Sequence, residues 1–512
     1  MAARIVVVGA GVGGLAAAAR LAAQGHRVAL HERAATHGGK LGEYRRDGFT
    51  FDTGPSLLTL PHVFTDLFAA TGGPADLDLE PVDPACGYRF PDGTRLDLPF
   101  DAADVPAALD AALGAGSGAA WQAFHDRSAR LWDLVGEPVL HRPLRARDLA
   151  RFSARLRDLR VVAPWCTLRR LGEHLLPDPR LRMWLDRYAT YSGSDPRRTP
   201  SVLSVTPYVE QHFGAWWVRG GLRRLADALL DRCHELGVTV HLASEVAGIT
   251  TTARGVSGVR LADGRAVPAD VVVCDADARV VHERLLSPAA RPRVRVAATR
   301  SLARRSPASV AGFVLLLALD GGNRAGAVAA GPDGGVGSGA DGRPAHRVFF
   351  PADYDAEFDA LFRRPGPVPD PTVYVHAPAD PAMAPSGCES WFVLVNAPVH
   401  DPARGVDWDA PGLRERYADR VLEVLARRGE DVRGRIRWRE VRTPADLERD
   451  AAAPGGAIYG SASHGPLAAL LRPANRSPVP GLFLVGGSAH PGGGLPIVAL
   501  SAKIVADLIG PA

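Results

Sequence analysis

Residues 4–33 read RIVVVGAGVGGLAAAARLAAQGHRVALHER, and this stretch decides the fold. Its apolar, β-branched start at residues 4–8 is typical of a strand that is buried on both faces. The alanine-rich residues 15–24 predict a helix that ends at Gly25, and residues 26–31 predict a second strand. A strand, a glycine turn, a helix and a strand in this order indicate a doubly wound α/β unit with a parallel sheet.

The glycines between the first strand and the helix have the spacing of a dinucleotide-binding turn. Gly9 permits the tight turn, Gly11 lets the backbone approach a pyrophosphate, and Gly14 lets helix and strand pack closely. Gly13 lies in the same turn, where the helix start offers free N–H groups and a positive dipole end to phosphates. Glu32, which ends the second strand, is placed to accept hydrogen bonds from a ribose. We therefore predict a dinucleotide site at this turn.

The same glycine spacing occurs a second time, at Gly337, Gly339 and Gly342. These residues lie in a stretch rich in glycine and alanine, with Pro344 close behind. A helix cannot start cleanly there, and the spacing alone is weak evidence without its strand and helix. We therefore predict a loop at this second match.

Two later regions predict further parts of the nucleotide-binding unit. Residues 220–236 predict a helix and residues 237–242 a strand, and a hairpin then leads to a buried strand at residues 269–274. In the tail, residues 481–496 form a strand and a glycine-rich turn that lead into a helix from residue 497. Such a turn before a helix start again suits an anionic group. We therefore predict one domain assembled from both chain ends, with a second domain inserted between them.

Composition narrows the class of protein. A hydrophobic fraction of 46% and a charged fraction of 23% are ordinary for a folded enzyme, and a net charge of +4 on 512 residues argues against nucleic-acid binding. Five scattered cysteines form no CxxC or Cys/His cluster, so we expect no metal site and a reducing compartment. No apolar run is long enough to predict a transmembrane helix, and the N-terminus lacks an evident signal-peptide cleavage site. These features favour a cytoplasmic protein.

Residues 142–182 carry eleven arginines against four acidic residues. Apolar residues recur between the arginines at roughly helical spacing, and a basic amphipathic stretch of this kind indicates contact with a membrane surface. A solvated, arginine-rich helix that packs on the core explains the same pattern. The sequence therefore leaves two interpretations open, a peripheral membrane contact and a structural helix.

Three segments carry motifs that are more specific than glycine spacing. They are, in chain order, Glu32-Arg33 with Gly38-Gly39-Lys40 and Phe51-Asp52-Thr53-Gly54-Pro55; His346-Arg347-Val348-Phe349-Phe350 with Pro371-Thr372-Val373-Tyr374-Val375; and Val485-Gly486-Gly487-Ser488-Ala489-His490-Pro491-Gly492-Gly493-Gly494-Leu495-Pro496. Together they resemble the bacterial-type phytoene desaturase family, whose members are FAD-dependent carotenoid desaturases and isomerases of the amine oxidase-like flavoprotein superfamily. The likeness runs nearly from end to end of the chain.

The resemblance implies an α/β fold with an FAD-binding Rossmann-like domain of the GR2 type and an inserted α+β domain for substrate and membrane contact. We expect the FAD-binding domain in residues 1–84, 211–289 and 441–512, and the inserted domain in residues 85–210 and 290–440. The residues expected to bind FAD are Gly9, Gly11, Gly13, Gly14, Glu32, Arg33, Gly39, Lys40, Gly54, Pro55, Ser56, Val246, Gly487, Ser488, Gly494, Leu495 and Pro496.

The resemblance also implies a substrate and a reaction. A hydrophobic polyene, phytoene or a later and hydroxylated carotenoid, would lie in an apolar tunnel beside the flavin, lose a hydride to it and gain a conjugated double bond. The electrons would pass to a quinone or to O2. Arg147 and Asp148 resemble a charged pair of the family that could take the proton, although a surface ion pair explains them as well. His490 is a further candidate, and beside Pro491 it also fits a role in shaping the turn.

Other activities stay open on the sequence. The motifs around residues 53–61 are similar to those of family members that desaturate hydroxylated carotenoids at the 3,4 position. A carotenoid isomerase or ketolase of the same family and a flavin amine oxidase are alternatives. A non-catalytic lipid-binding escort protein on the same fold is a further one, against which the intact glycine turn argues.

Overall fold

A computed structural model describes residues 1–143, 156–287, 307–321, 337–338, 342–466, 468 and 472–512. The strands of this part of the chain are β1 Arg4–Val8, β2 Arg27–His31, β3 Glu43–Arg46, β4 Phe49–Asp52, β5 Leu79–Pro81, β6 Cys86–Arg89, β7 Arg95–Leu98, β8 Trp216–Val218, β9 Thr239–His241, β10 Val246–Thr252, β11 Gly255–Leu261, β12 Ala266–Pro268, β13 Val271–Cys274, β14 Ala311–Asp320, β15 His346–Phe349, β16 Val373–His376, β17 Cys388–Ala397, β18 Ile436–Arg442 and β19 Leu482–Leu484.

The helices of the described residues are α1 Val12–Ala23, α2 His62–Ala69, α3 Val105–Leu113, α4 Ser117–Leu140, α5 Leu156–Val162, α6 Leu168–Leu175, α7 Pro179–Thr190, α8 Val205–Phe213, α9 Arg223–Glu235, α10 Ala278–Val280, α11 Tyr354–Phe362, α12 Leu413–Arg427, α13 Pro444–Ala451 and α14 Leu495–Ile509.

A five-stranded parallel sheet with the order β19-β13-β1-β2-β9 forms the first half of the fold. Its central strand β1 is buried on both faces, as the sequence predicts, because alternate residues point to opposite sides. Ile5 and Val7 pack with helices α1, α9 and α14, whereas Val6 and Val8 pack with the antiparallel sheet β10-β11-β12. The two faces together make a layered α/β core.

Strands from both chain ends pair in this sheet, and their assignment to one domain stays a prediction. Strand β19 pairs with β13, which pairs with β1, and helix α14 packs along α1. Helix α1 begins at Val12, three residues before the predicted start, because Gly13 and Gly14 take helical backbone angles after the extended Gly11. The alanine residues of α1 bring its backbone close to its neighbours, so the two helix starts meet at one edge of the sheet.

A seven-stranded mixed sheet with the order β18-β14-β17-β16-β15-β6-β7 forms the second half. Strands β14 and β17 pair along ten residues, from Ala311 opposite Ala397 to Asp320 opposite Cys388. One face of β14 packs on helix α12, and the other packs on Phe49 and its neighbours in the hairpin β3-β4. The boundaries of the two domains stay a prediction, and the one set between residues 440 and 441 falls inside strand β18.

Helices α3 to α8 lie beside this second sheet and contain part of the arginine-rich stretch. The described part of residues 142–182 is not one continuous amphipathic helix, because turns separate α5, α6 and α7. Arg169 pairs with Asp186 and with Asp355 of the neighbouring helix α11, and Arg180 pairs with Asp178. Some of these arginines therefore hold the fold together. Residues 144–155 lie outside the described residues.

The second glycine match does not form a nucleotide-binding turn in its described positions. Gly337 lies in a turn and Gly342 in a bend, and strand β15 rather than a helix follows them. Gly339 lies outside the described residues. The prediction of a non-helical connection is confirmed at Gly337 and Gly342.

Candidate active site

The glycine turn after β1 has the geometry of an anion-binding site. Gly9 adopts a left-handed backbone angle, with φ of 103°, and its N–H donates to the carbonyl of His31 at 2.8 Å. Gly11 then starts helix α1 in an extended conformation, and no side chain caps the helix. The first N–H groups of an uncapped helix need acceptors, and a phosphate supplies them in the favourable field of the helix dipole.

The glycines at this turn leave no room for a side chain. A Cβ atom on Gly11, Gly13 or Gly486 would lie 2.4, 2.5 or 2.2 Å from a carboxylate oxygen of Asp275. A Cβ atom on Gly14 would lie 2.0 Å from the carbonyl oxygen of Gly9. The turn can therefore pack against the end of β13, and its backbone remains open to a ligand.

Asp275 is a site residue that the sequence reasoning missed. It directly follows β13, and its carboxylate accepts a hydrogen bond from the Gly14 N–H. Removal from water raises the pKa of this carboxyl to about 7, and the nearby Glu32 carboxylate adds to the rise. Near neutral pH the group can therefore carry a proton, which lessens its repulsion of a phosphate. The sequence feature that indicates Asp275 is an acidic residue directly after a buried parallel strand, because ligands bind at that edge of the sheet.

Glu32 and Arg33 lie side by side but face different partners. The Glu32 carboxylate accepts the N–H of Ala10 and the N–H of Ala34, both at 2.8 Å, and so ties the glycine turn to the end of β2. A carboxylate has further lone pairs for ribose hydroxyl groups. The Arg33 guanidinium donates instead to the carbonyl groups of Arg449 and Asp450. It therefore fastens the turn to α13 and its end.

The second motif lies against the glycine turn. The N–H of Gly38 donates to the carbonyl of Ala10 at 2.7 Å, and a Cβ atom on Gly39 would lie 3.2 Å from the Cα atom of Gly11. Lys40 donates through Nζ to the carbonyl of Ile458 at 2.6 Å. Burial lowers the pKa of this amine, against the opposite effect of nearby aspartates.

Gly54, Pro55 and Ser56 continue the same wall. A Cβ atom on Gly54 would lie 1.9 Å from the carbonyl oxygen of Lys40, so this turn packs directly on the second motif. Val246, at the start of β10, lies in the apolar layer on the opposite face of the sheet. The chain just before it donates from the Ser244 N–H to the Glu32 carbonyl at 2.7 Å. These contacts bring Val246 to the side of the site where Glu32 lies.

The glycine-rich tail closes the site from the other chain end. A Cβ atom on Gly13 would lie 3.1 Å from the Cα atom of Gly486 and from Cγ1 of Val498 in helix α14. The Ser488 hydroxyl accepts the N–H of Ala278 at 3.0 Å, and Gly487 accepts a hydrogen bond from the Arg472 guanidinium at 3.1 Å.

The start of helix α14 is open in the same way as the start of α1. Gly494 precedes the helix without a side-chain cap and is exposed, and Leu495 and Pro496 form its first turn. Helix α14 has 15 residues, so its dipole favours negative charge at this end. Two uncapped helix starts therefore lie at the same edge of the sheet.

Arg472 is the second residue that the sequence reasoning missed. Burial lowers the pKa of its guanidinium to about 10, and the same side chain donates to the carbonyl groups of Tyr459 and Gly487. It thereby holds Tyr459 against the tail, where a Cβ atom on Gly493 would lie 2.6 Å from the tyrosine ring. No local sequence pattern around residue 472 predicts this role. Its partners, Tyr459 and Gly487, are distant in sequence, and both accept through backbone carbonyl groups.

Among the candidate proton acceptors, His490 lies within the described residues. Arg147 and Asp148 lie outside the described residues. His490 has its Nε2 atom 3.0 Å from the carbonyl of Val139 and 2.9 Å from that of Arg142, at the end of α4. Burial lowers the pKa of His490, so the neutral ring donates to these carbonyl groups and holds the tail turn in place.

A buried polar cluster lies next to the turn of Ser56, and the sequence did not indicate it. The Ser56 hydroxyl and the Tyr374 hydroxyl lie 2.5 Å apart, and the Tyr374 hydroxyl lies 2.6 Å from Nδ1 of His346. Arg187 of helix α7 lies over the Tyr374 ring. The cluster joins strands β15 and β16 of the second sheet to the wall of the nucleotide site.

Comparison with known proteins agrees with this geometry. The family model described as flavin containing amine oxidoreductase matches residues 12–360. The chain is 36% identical to a 4,4'-diapolycopene oxygenase of a Methylomonas species, over 99% of this chain and 98% of the relative. The chain belongs to the flavin containing amine oxidoreductase family.

This flavin containing amine oxidoreductase is also similar to a second carotenoid enzyme and to a solved oxidase structure. It is 35% identical to a hydroxyneurosporene desaturase of Cereibacter sphaeroides, over 99% of this chain and 97% of the relative. Putrescine oxidase, solved with putrescine bound, superimposes with a TM-score of 0.65 at 14% identity, over 99% of both chains. At that identity the likeness shows the fold alone, and it confirms the predicted α/β flavoprotein fold over the whole chain.

Metal and membrane features of the described residues are sparse. His400, Asp407 and Asp409 have ligand atoms within 4.8 Å of one another, but both acids are exposed and Asp409 pairs with Arg449. The expectation of no metal site stays a prediction. In the part of the chain that the structure describes, every helix is too short or too polar to cross a bilayer.

Proposed function

We propose that this protein is an FAD-dependent carotenoid desaturase. The observation that carries the proposal is full-length similarity to carotenoid enzymes at 35% and 36% identity, combined with a glycine-lined dinucleotide site built from both chain ends. The substrate class is an acyclic carotenoid, and a hydroxylated one such as hydroxyneurosporene fits the named relative best.

The described residues fit FAD. The uncapped start of α1 faces the place where a pyrophosphate binds in this fold, and Gly11 keeps the backbone accessible there. Glu32, which holds the glycine turn through the N–H of Ala10, would accept hydrogen bonds from the ribose, and Val246 would lie near the adenine. The tail turn and the open start of α14 would face the flavin ring, where the helix dipole stabilises negative charge.

FAD, when bound, would accept a hydride from an allylic carbon while the neighbouring carbon loses a proton, which leaves one more double bond. Two electrons then leave for an acceptor, and we propose a quinone or O2. The chain's own residues bind the dinucleotide, exclude water and orient the polyene. Arg147 and Asp148 stay candidates for holding the departing proton.

Oxygenation is the second candidate reaction, and the 36% identical relative named as a 4,4'-diapolycopene oxygenase favours it. A desaturase removes two hydrogens, an oxygenase adds oxygen and an isomerase leaves the mass unchanged. An amine oxidase is disfavoured because putrescine oxidase shares only 14% identity with this chain. The glycine-lined site argues against an escort protein without flavin.

The proposal is tested by expressing the protein in a host that accumulates neurosporene or hydroxyneurosporene and measuring pigment masses. We expect a product two hydrogens lighter, with an absorption band shifted to longer wavelength. A Gly11→Val variant in the same host controls for host enzymes. A product heavier by one or two oxygen atoms would assign the second candidate, and unchanged pigments with a flavin-loaded protein would refute both.

We also propose a peripheral membrane contact through the turn between α5 and α6, since a polyene substrate is dissolved in lipid. Trp165 in this turn is 66% exposed, which is unusual for a tryptophan, and arginines flank it on both sides. Trp165→Ser should lower binding to vesicles of anionic phospholipid about tenfold, because one buried aromatic contributes about 1.5–3 kcal/mol.

The matched control for this experiment is Leu242→Ser, because Leu242 is an exposed apolar residue that follows strand β9 in the other half of the fold. Co-sedimentation with vesicles measures both variants. Equal loss of vesicle binding in both variants, or no loss in either, would contradict the membrane contact. The structural role would then explain the arginine-rich stretch.

A further inference from the structure

Arg187, near the end of helix α7, is a buried cation that has no ionic partner among the residues that the structure describes. It is 9% exposed, and among the described residues its Nε atom has no hydrogen-bond acceptor. Glu210 is near enough to influence it, but no carboxylate of the described chain lies within 4.0 Å of the guanidinium. An unpaired buried charge costs several kcal/mol, so this arginine is best explained by an acceptor that a ligand brings.

Aromatic residues frame this guanidinium. Its central carbon lies 5.7 Å from the ring centre of Tyr191 and 5.8 Å from that of Tyr374. Both tyrosines keep partial exposure although they lie among buried residues of the second sheet and α7. Both rings therefore make cation–π contacts with the guanidinium, and such contacts use the ring faces and supply no oxygen or nitrogen acceptor for its N–H groups.

The Tyr374 hydroxyl belongs to a chain of hydrogen-bonded groups. The Tyr374 hydroxyl is shared between Ser56 at 2.5 Å and Nδ1 of His346 at 2.6 Å. Burial lowers the pKa of His346 to about 3, so the imidazole is neutral, and in the tautomer with hydrogen on Nε2 its Nδ1 accepts the phenol hydrogen. The phenol oxygen then keeps a lone pair, and the cluster can both donate to and accept from a hydroxyl group.

The cluster lies between the two segments expected to touch the flavin. Ser56 belongs to the turn that packs on Lys40. The Tyr459 ring contacts Gly493 of the tail, and Arg187 is close enough to Tyr459 to interact with it electrostatically. A polar group held here is therefore close to the place where a polyene would be oxidised. A hydrocarbon end group would leave Arg187 buried and unpaired, whereas an oxygen atom would satisfy it.

We propose that Arg187 and Tyr374 bind the hydroxyl group at the end of an acyclic carotenoid and thereby select hydroxylated over unsubstituted substrates. This inference rests on the proposed function and adds the end group and the residues that recognise it. A site that hydrogen-bonds a substrate hydroxyl discriminates strongly against the analogue that lacks it, because buried polar groups are then left without partners.

The test compares hydroxyneurosporene and neurosporene as substrates of the purified, FAD-loaded protein. The wild type should convert the hydroxylated substrate with a kcat/KM at least about tenfold higher, since a hydrogen bond to a charged group contributes at least that factor. Arg187→Met should abolish this preference, mainly through a higher KM for hydroxyneurosporene. Tyr374→Phe, which keeps the ring, should reduce the preference in the same direction and decides the question if Arg187→Met does not fold.

The matched control is Arg182→Met, the same substitution on the same helix outside the cluster. It should keep the wild-type preference. Equal losses for both substrates in the Arg187 and Tyr374 variants, or a wild type that does not distinguish the substrates, would overturn the inference while desaturation itself stands. A flavin-loaded wild type that converts neither polyene would refute the proposed function, and the inference with it.

Discussion

Gly11→Val is expected to abolish flavin binding and, with it, all oxidation of a polyene. The backbone of Gly11 is extended, with φ of −68° and ψ of 173°, so valine meets no backbone strain. Its Cβ atom would lie 2.4 Å from the Asp275 carboxylate, and its methyl groups would reach into the place of the pyrophosphate. A clash of this kind costs about 3 kcal/mol, which corresponds to at least about a hundredfold in affinity for FAD.

The measurement is the ratio of FAD to protein after purification, together with the melting temperature. Gly434→Val is the matched control, because Gly434 also lacks a left-handed backbone angle and nothing lies within 4 Å of its Cβ position. The control should keep full FAD occupancy. A Gly11→Val protein that is as yellow as the wild type would show that the pyrophosphate does not bind at this turn.

Glu32→Ala is expected to lower the affinity for FAD by about ten- to a hundredfold while the chain still folds. Its carboxylate holds the N–H groups of Ala10 and Ala34, and each hydrogen bond to a charged group contributes about 1.5–3 kcal/mol. Loss of the carboxylate loosens the glycine turn and removes the acceptor expected for the ribose.

Titration of the apoprotein with FAD measures this effect. Glu32→Gln retains one acceptor oxygen and should fall between the wild type and the alanine variant. Equal FAD affinity in all three proteins would contradict the placement of the ribose beside Glu32.

Local pattern was sufficient for the nucleotide-binding half of the fold. The residues that predict strand β1, helix α1 and strand β2 lie within thirty consecutive positions. A separate glycine-rich pattern predicts the tail turn. The start of α1 was wrong by three residues, since glycine in a first helical turn leaves no mark in the hydrophobic periodicity, and α14 begins at Leu495, two residues before its predicted start. In the arginine-rich stretch, the helical spacing of apolar residues did not reveal the turn near Trp165 that separates α5 from α6.

Contacts between distant segments were not predictable. Asp275 reaches the glycine turn because β13 pairs with β1, and the residues of β13 carry no sign of that pairing. Tyr374 meets Ser56 only because the second sheet lies against the hairpin β3-β4 and its continuation. No local pattern singled out Arg187, because its burial depends on the packing of α7 against other elements.

The central claim is that this chain uses flavin to desaturate a carotenoid, and a single-turnover experiment tests it most directly. The purified, FAD-loaded protein is mixed with hydroxyneurosporene without O2 or quinone, and the pigment is extracted and weighed by mass spectrometry. We expect about one molecule of product, two hydrogens lighter, for each flavin bound, followed by continued turnover when a quinone is added. Substrate recovered unchanged from a fully flavin-loaded protein, with or without the quinone, would contradict it.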